Sequence, residues 1–191
     1  MKTIAAEKIK PKKTLTQICF VALFAALIAG GTFIAIPIGP VPIVLQNLFT
    51  LLAGLVLGPL LGAASVALYL FAGLLGAPVF AGFTGGITRF AGPTGGFLIG
   101  YLLMAIIAGL IAGKHEKKIS KIRLAIAVSA GLLVVYVPGI AWLKFRFGLD
   151  WYAALVTGFL PYLPGDLLKG IAAVLIAGRL RNTAAAFMQD S

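Results

Sequence analysis

Between Thr14 and Thr88 the sequence contains no Asp, Glu, Lys, Arg or His, and this 75-residue window constrains the fold more than any other feature. An ordinary soluble domain carries roughly 25% charged residues to cover its water-facing side. Here 61% of residues are hydrophobic and 11% are charged. A helix needs about 20 mostly apolar residues to cross the roughly 30 Å hydrocarbon core of a bilayer, so the window has room for three crossings. Further charge-free stretches at 90–113 and 124–143 supply a fourth and a fifth. A last stretch at 163–176, apolar apart from Asp166 and Lys169, is cut at its front by Pro161 and Pro164. The expectation is an all-α integral membrane protein with six transmembrane helices near 15–33, 44–57, 60–75, 96–112, 124–142 and 163–176, five helices being the main alternative. The membrane domain would run over 14–181, between a basic segment at 1–13 and a tail at 182–191.

The net charge of +11 could suggest a nucleic-acid partner, but its distribution argues otherwise. Lys2, Lys8, Lys10, Lys12 and Lys13 precede the first helix, Lys114, Lys117, Lys118, Lys121 and Arg123 fall between the fourth and fifth, and Arg179 and Arg181 follow the last. In a six-span chain these segments share one side and hold 12 of the 16 basic residues. That asymmetry is the positive-inside pattern, which places both termini in the cytoplasm of a cell-membrane protein. No basic face is interleaved with aromatics as nucleic-acid binding requires. The first apolar run exceeds the 7–15 residues of a secretory signal core and reads as a retained helix. Cys19 is the single cysteine, so no disulfide forms within the chain.

Three segments interrupt the helical pattern. "IPIGPVPI" stops the first helix with Pro37, Pro40 and Pro42, and Gly39 relieves its turn. "GP" at Gly58 and Pro59 is a tight connection between antiparallel neighbours. The stretch 76–95, "GAPVFAGFTGGITRFAGPTG", exposes backbone groups that lipid cannot satisfy, so it belongs at the surface or around a protein-enclosed cavity. The expected orientation gathers "IPIGPVPI", this long loop and the start of the last helix on the outer face. Asp150 is placed to cap a short helix, "WYAALVTGF", and Pro138 with Gly139 to kink the fifth.

Small residues recur four apart at Ala22 and Ala26, Ala25 and Ala29, Gly54, Gly58 and Gly62, and Gly96 and Gly100. Such spacing lets backbones approach closely, most often inside one chain. Ala22 and Ala26 are the candidates for an external partner, because they lie near the cytoplasmic start of the first helix.

Only five acids exist, and Asp166 is the one nearest membrane depth. Ionisable groups there are expensive and usually serve a site or pair with one another. A first-turn carboxylate complements the helix dipole, so capping is a competing explanation for Asp166. The dipole gives no reason for Lys169, a cation in the same turn and on the same face. Gln46, Asn47, Thr84, Thr88, Arg89 and Thr94 are further polar candidates on the outer face. Phe80, Phe83, Phe90, Trp151 and Tyr162 could supply apolar walls. An enzyme is poorly supported: His115, the only histidine, sits in the basic cytoplasmic connection, so neither a His-based triad nor a metal cluster can form on the outer face. No phosphate loop with a GK[ST] ending is present, so no cofactor is expected and any ATP-driven step requires another subunit.

"GPVPIVLQNLFTLLAGLVLGPLLGAASVALYLFAGLLGAPVFAGF", "GPTGGFLIGYLL" and "LPYLPGDLLKG", in this order and spacing, resemble the BioY family, the biotin-binding S components of energy-coupling factor (ECF) vitamin transporters. The resemblance runs over about 15–181. It implies a six-helix protein that captures biotin near the extracellular face and works with a transmembrane coupling (T) component and two cytoplasmic ATPases. It also implies that Asp166 and Lys169 belong to the biotin site, and that Ala22 and Ala26 match the AxxxA surface that docks on the coupling protein, the Ala25/Ala29 register being the alternative. A bicyclic ligand with a ureido ring and a valerate carboxylate fits Lys169 and Asp166 at the ureido end and Arg89 at the tail. Gln46, Phe83 and Tyr162 would line the same pocket. The family's polar residue in the long loop has no Asn to match here, which leaves Thr84 and Thr88 for that role. An S component for another vitamin and a stand-alone biotin facilitator are the alternatives.

Overall fold

A computed structural model describes residues 13–37, 40–113 and 119–189. The basic residues at 1–12, Gly39, the basic residues and His115 at 114–118, and the last two residues lie outside this set. Among the described residues eight α-helices carry the fold: α1 (Lys13–Phe33), α2 (Gln46–Leu57), α3 (Pro59–Leu74), α4 (Ile87–Ala91), α5 (Gly95–Ala112), α6 (Lys121–Phe147), α7 (Trp151–Gly158) and α8 (Leu163–Gln189). A short 3-10 turn at Leu160–Tyr162 leads into α8. Among the described residues four helical stretches are long and apolar enough to cross a membrane: Thr14–Phe33, Gly95–Ala112, Lys121–Phe147 and Trp151–Ala184. The apolar helices α2 and α3, with 12 and 16 residues, are shorter.

Helix α2 is the axis of the bundle. Eleven of its 12 residues are buried, and it packs against α1, α3, α5, α6 and α8. The glycines allow this crowding. A Cβ on Gly54 would stand 2.3 Å from the Ala105 carbonyl oxygen of α5, and one on Gly96 would stand 2.3 Å from the Pro138 carbonyl oxygen of α6. Both belong to the small-residue spacings above, and both serve packing within the chain. At the α2–α3 junction Gly58 takes φ 84° and Pro59 opens α3, where its missing N–H costs no helical bond.

The proline segment after α1 forms a two-residue antiparallel ladder, β1 (Ala35–Ile36) with β2 (Ile43–Val44), pairing Ala35 with Val44 and Ile36 with Ile43. The long loop contains a turn bridged between Phe80 and Thr84, followed by α4. Asp150 accepts a hydrogen bond from the Ala153 N–H at 2.7 Å and caps α7. Two helices exceed their expected lengths. Helix α6 continues past 142 to Phe147, ending on Gly148 in the left-handed conformation; Lys144 and Arg146 in its last turn complement the dipole there. Helix α8 continues past 176 to Gln189 because no proline follows Pro164, and the run of alanines at 184–186 sustains it.

Arg181, counted above among the basic residues that follow the last span, is buried in the bundle. It is 2% exposed, and it donates to the carbonyls of Leu55, Ala112 and Gly113 at the C-terminal ends of α2 and α5. On α1, Ala22, Ala26 and Gly30 are exposed in one stripe, whereas Ala25 is buried.

Candidate functional site

Where α8 begins, the chain turns through Pro161 and Pro164 and sets Asp166 in the first helical turn. The carboxylate is 3% exposed and sits at the centre of a polar cluster. Lys169, one turn later and 9% exposed, donates to Asp166 Oδ1 at 2.6 Å and to the Val44 carbonyl at 3.1 Å. Asn47 Nδ2, from the first turn of α2, donates to both carboxylate oxygens at 3.2 and 3.4 Å. The Tyr136 hydroxyl, from α6, donates to Asp166 Oδ2. The Tyr162 hydroxyl donates to the Val41 carbonyl. The irregular proline segment thus finds partners for two of its carbonyls on side chains from the last helical region, as backbone outside regular structure must at this depth.

Burying an ion pair costs more desolvation energy than a surface pair recovers, unless the geometry and further hydrogen bonds compensate. Three donors from three helices supply that compensation to Asp166. The same arrangement fixes α2, α6 and α8 relative to one another at this end of the bundle.

The cluster lies at one end of a two-lobed cavity. One lobe, with about 20 Å³ of room for the centre of a water molecule, is walled by Asn47, Val135, Tyr136, Tyr162 and Lys169. The other, with about 30 Å³ of such room, is walled by Gln46, Tyr69, Phe80, Ala81, Arg89, Thr94 and Leu98. Val41, Pro42, Val44, Phe97 and Tyr101 line both and form an apolar and aromatic neck between them. Arg89 is fastened to the long loop: its Nε donates to Thr84 Oγ1 at 2.5 Å and its Nη2 to the Ala81 carbonyl at 2.7 Å. Among the described residues no carboxylate lies within ion-pair distance of it. One lobe therefore ends in an Asp–Lys–Asn–Tyr cluster and the other holds a guanidinium without a carboxylate partner.

The structure brings Lys169, Arg89, Gln46 and Tyr162 into the walls of this cavity, and Asp166 is bonded to Lys169 outside the wall. Thr84 stands behind Arg89, its hydroxyl used to hold the guanidinium and to reach the Ala81 carbonyl. Thr88 is exposed and outside the cavity walls, and so is Phe83, which is 68% exposed at φ 55° and stacks on Phe33 with ring centroids 4.5 Å apart. Among the wall candidates Phe80 lines the larger lobe, Phe90 packs edge-on against it, and Trp151 is exposed beside Phe145. Sequence reasoning passed over Tyr69, Tyr101 and Tyr136. The signal was available: a tyrosine hydroxyl inside an apolar helix needs a polar partner, and so marks a polar interior.

The model of the BioY family matches residues 5–186 of this chain. The chain belongs to the BioY family. Within the family it is 45% identical over 166 residues to a probable biotin transporter BioY of Pyrococcus horikoshii, covering 87% of this chain and 96% of that protein. It is 42% identical over 168 residues to the biotin transporter BioY of Thermotoga maritima, covering 88% and 97%. Among solved structures it is similar to the S-component for biotin from an ECF-type ABC transporter, with a TM-score of 0.82 and 33% identity over 93% of this chain and 95% of that one. BioY family membership and the apolar helices together make the chain a membrane protein whose all-helical fold is that of an S component.

Proposed function

We propose that this BioY-family chain is the biotin-binding S component of an ECF-type vitamin uptake transporter. It captures biotin in the two-lobed cavity and delivers it inward with a coupling protein and two ATPases. The observation that carries this reading is the separation of polarity along the cavity. A hydrogen-bonding cluster closes one lobe, an apolar neck follows, and Arg89 waits in the other lobe. Biotin has the same sequence of chemistry, with a ureido ring at one end, an apolar bicycle and chain between, and a carboxylate at the other. The ureido end sits by Asp166 and Lys169, and the tail by Arg89, where guanidinium and carboxylate pair as charge-assisted partners.

The same reading takes the chain six times through the plasma membrane, with both termini cytoplasmic and the cavity toward the outside. Helices α2 and α3 would rise only about 18 and 24 Å, less than the roughly 30 Å hydrocarbon core. For α2 this is tolerable because protein surrounds it almost completely. The positive-inside bias of the three basic segments supports the orientation. The outward stripe of Ala22 and Ala26 serves as the docking surface for the coupling component, and ATP hydrolysis belongs to the partner ATPases.

Calorimetry on the purified chain tests this reading, together with mass spectrometry of any co-purified small molecule. Tight binding of biotin, recovered chemically intact, is expected. No heat of biotin binding, or a different vitamin in the bound fraction, overturns it. Rapid biotin flux into liposomes holding only this chain would favour a stand-alone facilitator instead.

A further inference from the structure

Asp166 does not itself form part of the cavity wall; Asn47, Tyr136 and Lys169 stand in front of it. Its two oxygens are already engaged by Lys169, Tyr136 and the shared Asn47 amide. A carboxylate only accepts hydrogen bonds, so the nitrogen end of the Asn47 amide must face it and the carbonyl Oδ1 must turn away. That Oδ1 is buried and has no hydrogen-bond partner, although Asn47 as a whole is 8% exposed and lines the cavity. An unpaired buried acceptor is a standing cost that an arriving N–H donor removes.

Lys169 offers the complementary group. An ammonium carries three donors, and two of them are spent on Asp166 Oδ1 and the Val44 carbonyl. Because Asn47 Nδ2 and Lys169 Nζ meet on the same oxygen, Asp166 Oδ1, the cavity wall shows an amide acceptor and an ammonium donor side by side. A cyclic ureide presents an N–H and a carbonyl adjacent on one edge, which is the matching pattern. The neighbouring Gln46 lines the lobe that holds Arg89, where an amide donor suits a carboxylate.

Resting on the biotin reading above, we propose that Asn47 Oδ1 accepts a ureido N–H of the ligand while Lys169 donates to the ureido carbonyl. Asp166 stands one layer behind as the positioning residue that orients both. Asn47 is then the residue that selects a ureide over other polar rings.

The test compares wild type with Asn47→Ala in calorimetry, using biotin and its two isomeric analogues in which one or the other ureido N–H is replaced by a ring oxygen. Wild type should bind one of the analogues about ten-fold or more weaker than biotin. Asn47→Ala should weaken biotin by a comparable factor and lose that discrimination. Undiminished biotin binding by Asn47→Ala overturns the proposal. So does an equal loss for biotin and both analogues, which marks an effect transmitted only through Asp166. Should the variant not fold, the wild-type comparison decides alone: both analogues binding like biotin overturns the proposal. Absence of biotin binding by wild type would sink the transport reading, and the proposal with it.

Discussion

Lys169 and Arg181 are buried on the same helix, with Asp166 and Arg181 about 22 Å apart along α8, yet their surroundings differ in kind. Arg181 donates to the carbonyls of Leu55, Ala112 and Gly113, which close the C-terminal ends of α2 and α5. Those carbonyls have no helical partner and carry the negative end of each dipole, so a guanidinium set among them is a clamp. Lys169 instead shares a carboxylate with two uncharged donors and borders a cavity. Charge burial alone does not mark a site. What marks it is a charge whose partners leave a buried polar atom unpaired on a residue that lines a cavity, as Asn47 Oδ1 is.

Three substitutions can break that comparison. The largest effect is expected from Asp166→Ala, which leaves Lys169 buried without its counter-ion. Breaking a buried pair in this way costs about 3–5 kcal/mol, so biotin affinity should fall by at least about a hundred-fold in calorimetry. Wild-type-like affinity would show that the cluster is scaffold, like the Arg181 clamp. Arg181→Met should do the reverse, lowering the midpoint of thermal unfolding in detergent by the equivalent of about 1.5–3 kcal/mol with biotin affinity unchanged. A selective loss of biotin binding in that variant would erase the distinction between the two cations. Arg89→Ala should weaken biotin by about ten-fold, or 1.4 kcal/mol, and leave its methyl ester unaffected. Equal weakening of acid and ester would detach Arg89 from the carboxylate.

The two halves of the site were not equally legible in the sequence. Asp166 and Lys169 stood out because an ionisable residue in an apolar chain is conspicuous, and because capping explained only the acid. Tyr136 and Asn47 reach Asp166 across 30 and 119 positions, and nothing local in "LLVVYVPG" or "LQNLF" announces that meeting. Tyr69 and Tyr101 carried only the general signal of a hydroxyl inside an apolar helix, which names no partner, because a tyrosine also contributes an apolar body to any helix. Phe83 and Thr88 seemed suited to the pocket by composition, but Phe83, in the turn at Phe80–Thr84, and Thr88, in α4, are both exposed. The helices were legible from charge-free runs and prolines. Their ends at Phe147 and Gln189 were not, because a charged residue beyond the apolar stretch ends a membrane span without ending a helix.

The smallest effect on the ligand is expected from the far side of α1, and it separates capture from delivery. Ala22 and Ala26 point away from the bundle, and a Cβ on Gly30 would meet nothing within 4 Å. Bulk added there strikes no neighbour in this chain, so Ala22→Trp with Ala26→Trp should leave thermal stability and biotin affinity as in wild type. Small residues at four-residue spacing let a second helix approach closely, and a pair of indoles removes that approach. Co-purification with the coupling component should therefore be lost while calorimetry is unchanged. Retained association would move docking to another face of the bundle. Joint loss of association and biotin binding would show that α1 supports the cavity through Phe24 and Ile28, the residues it buries.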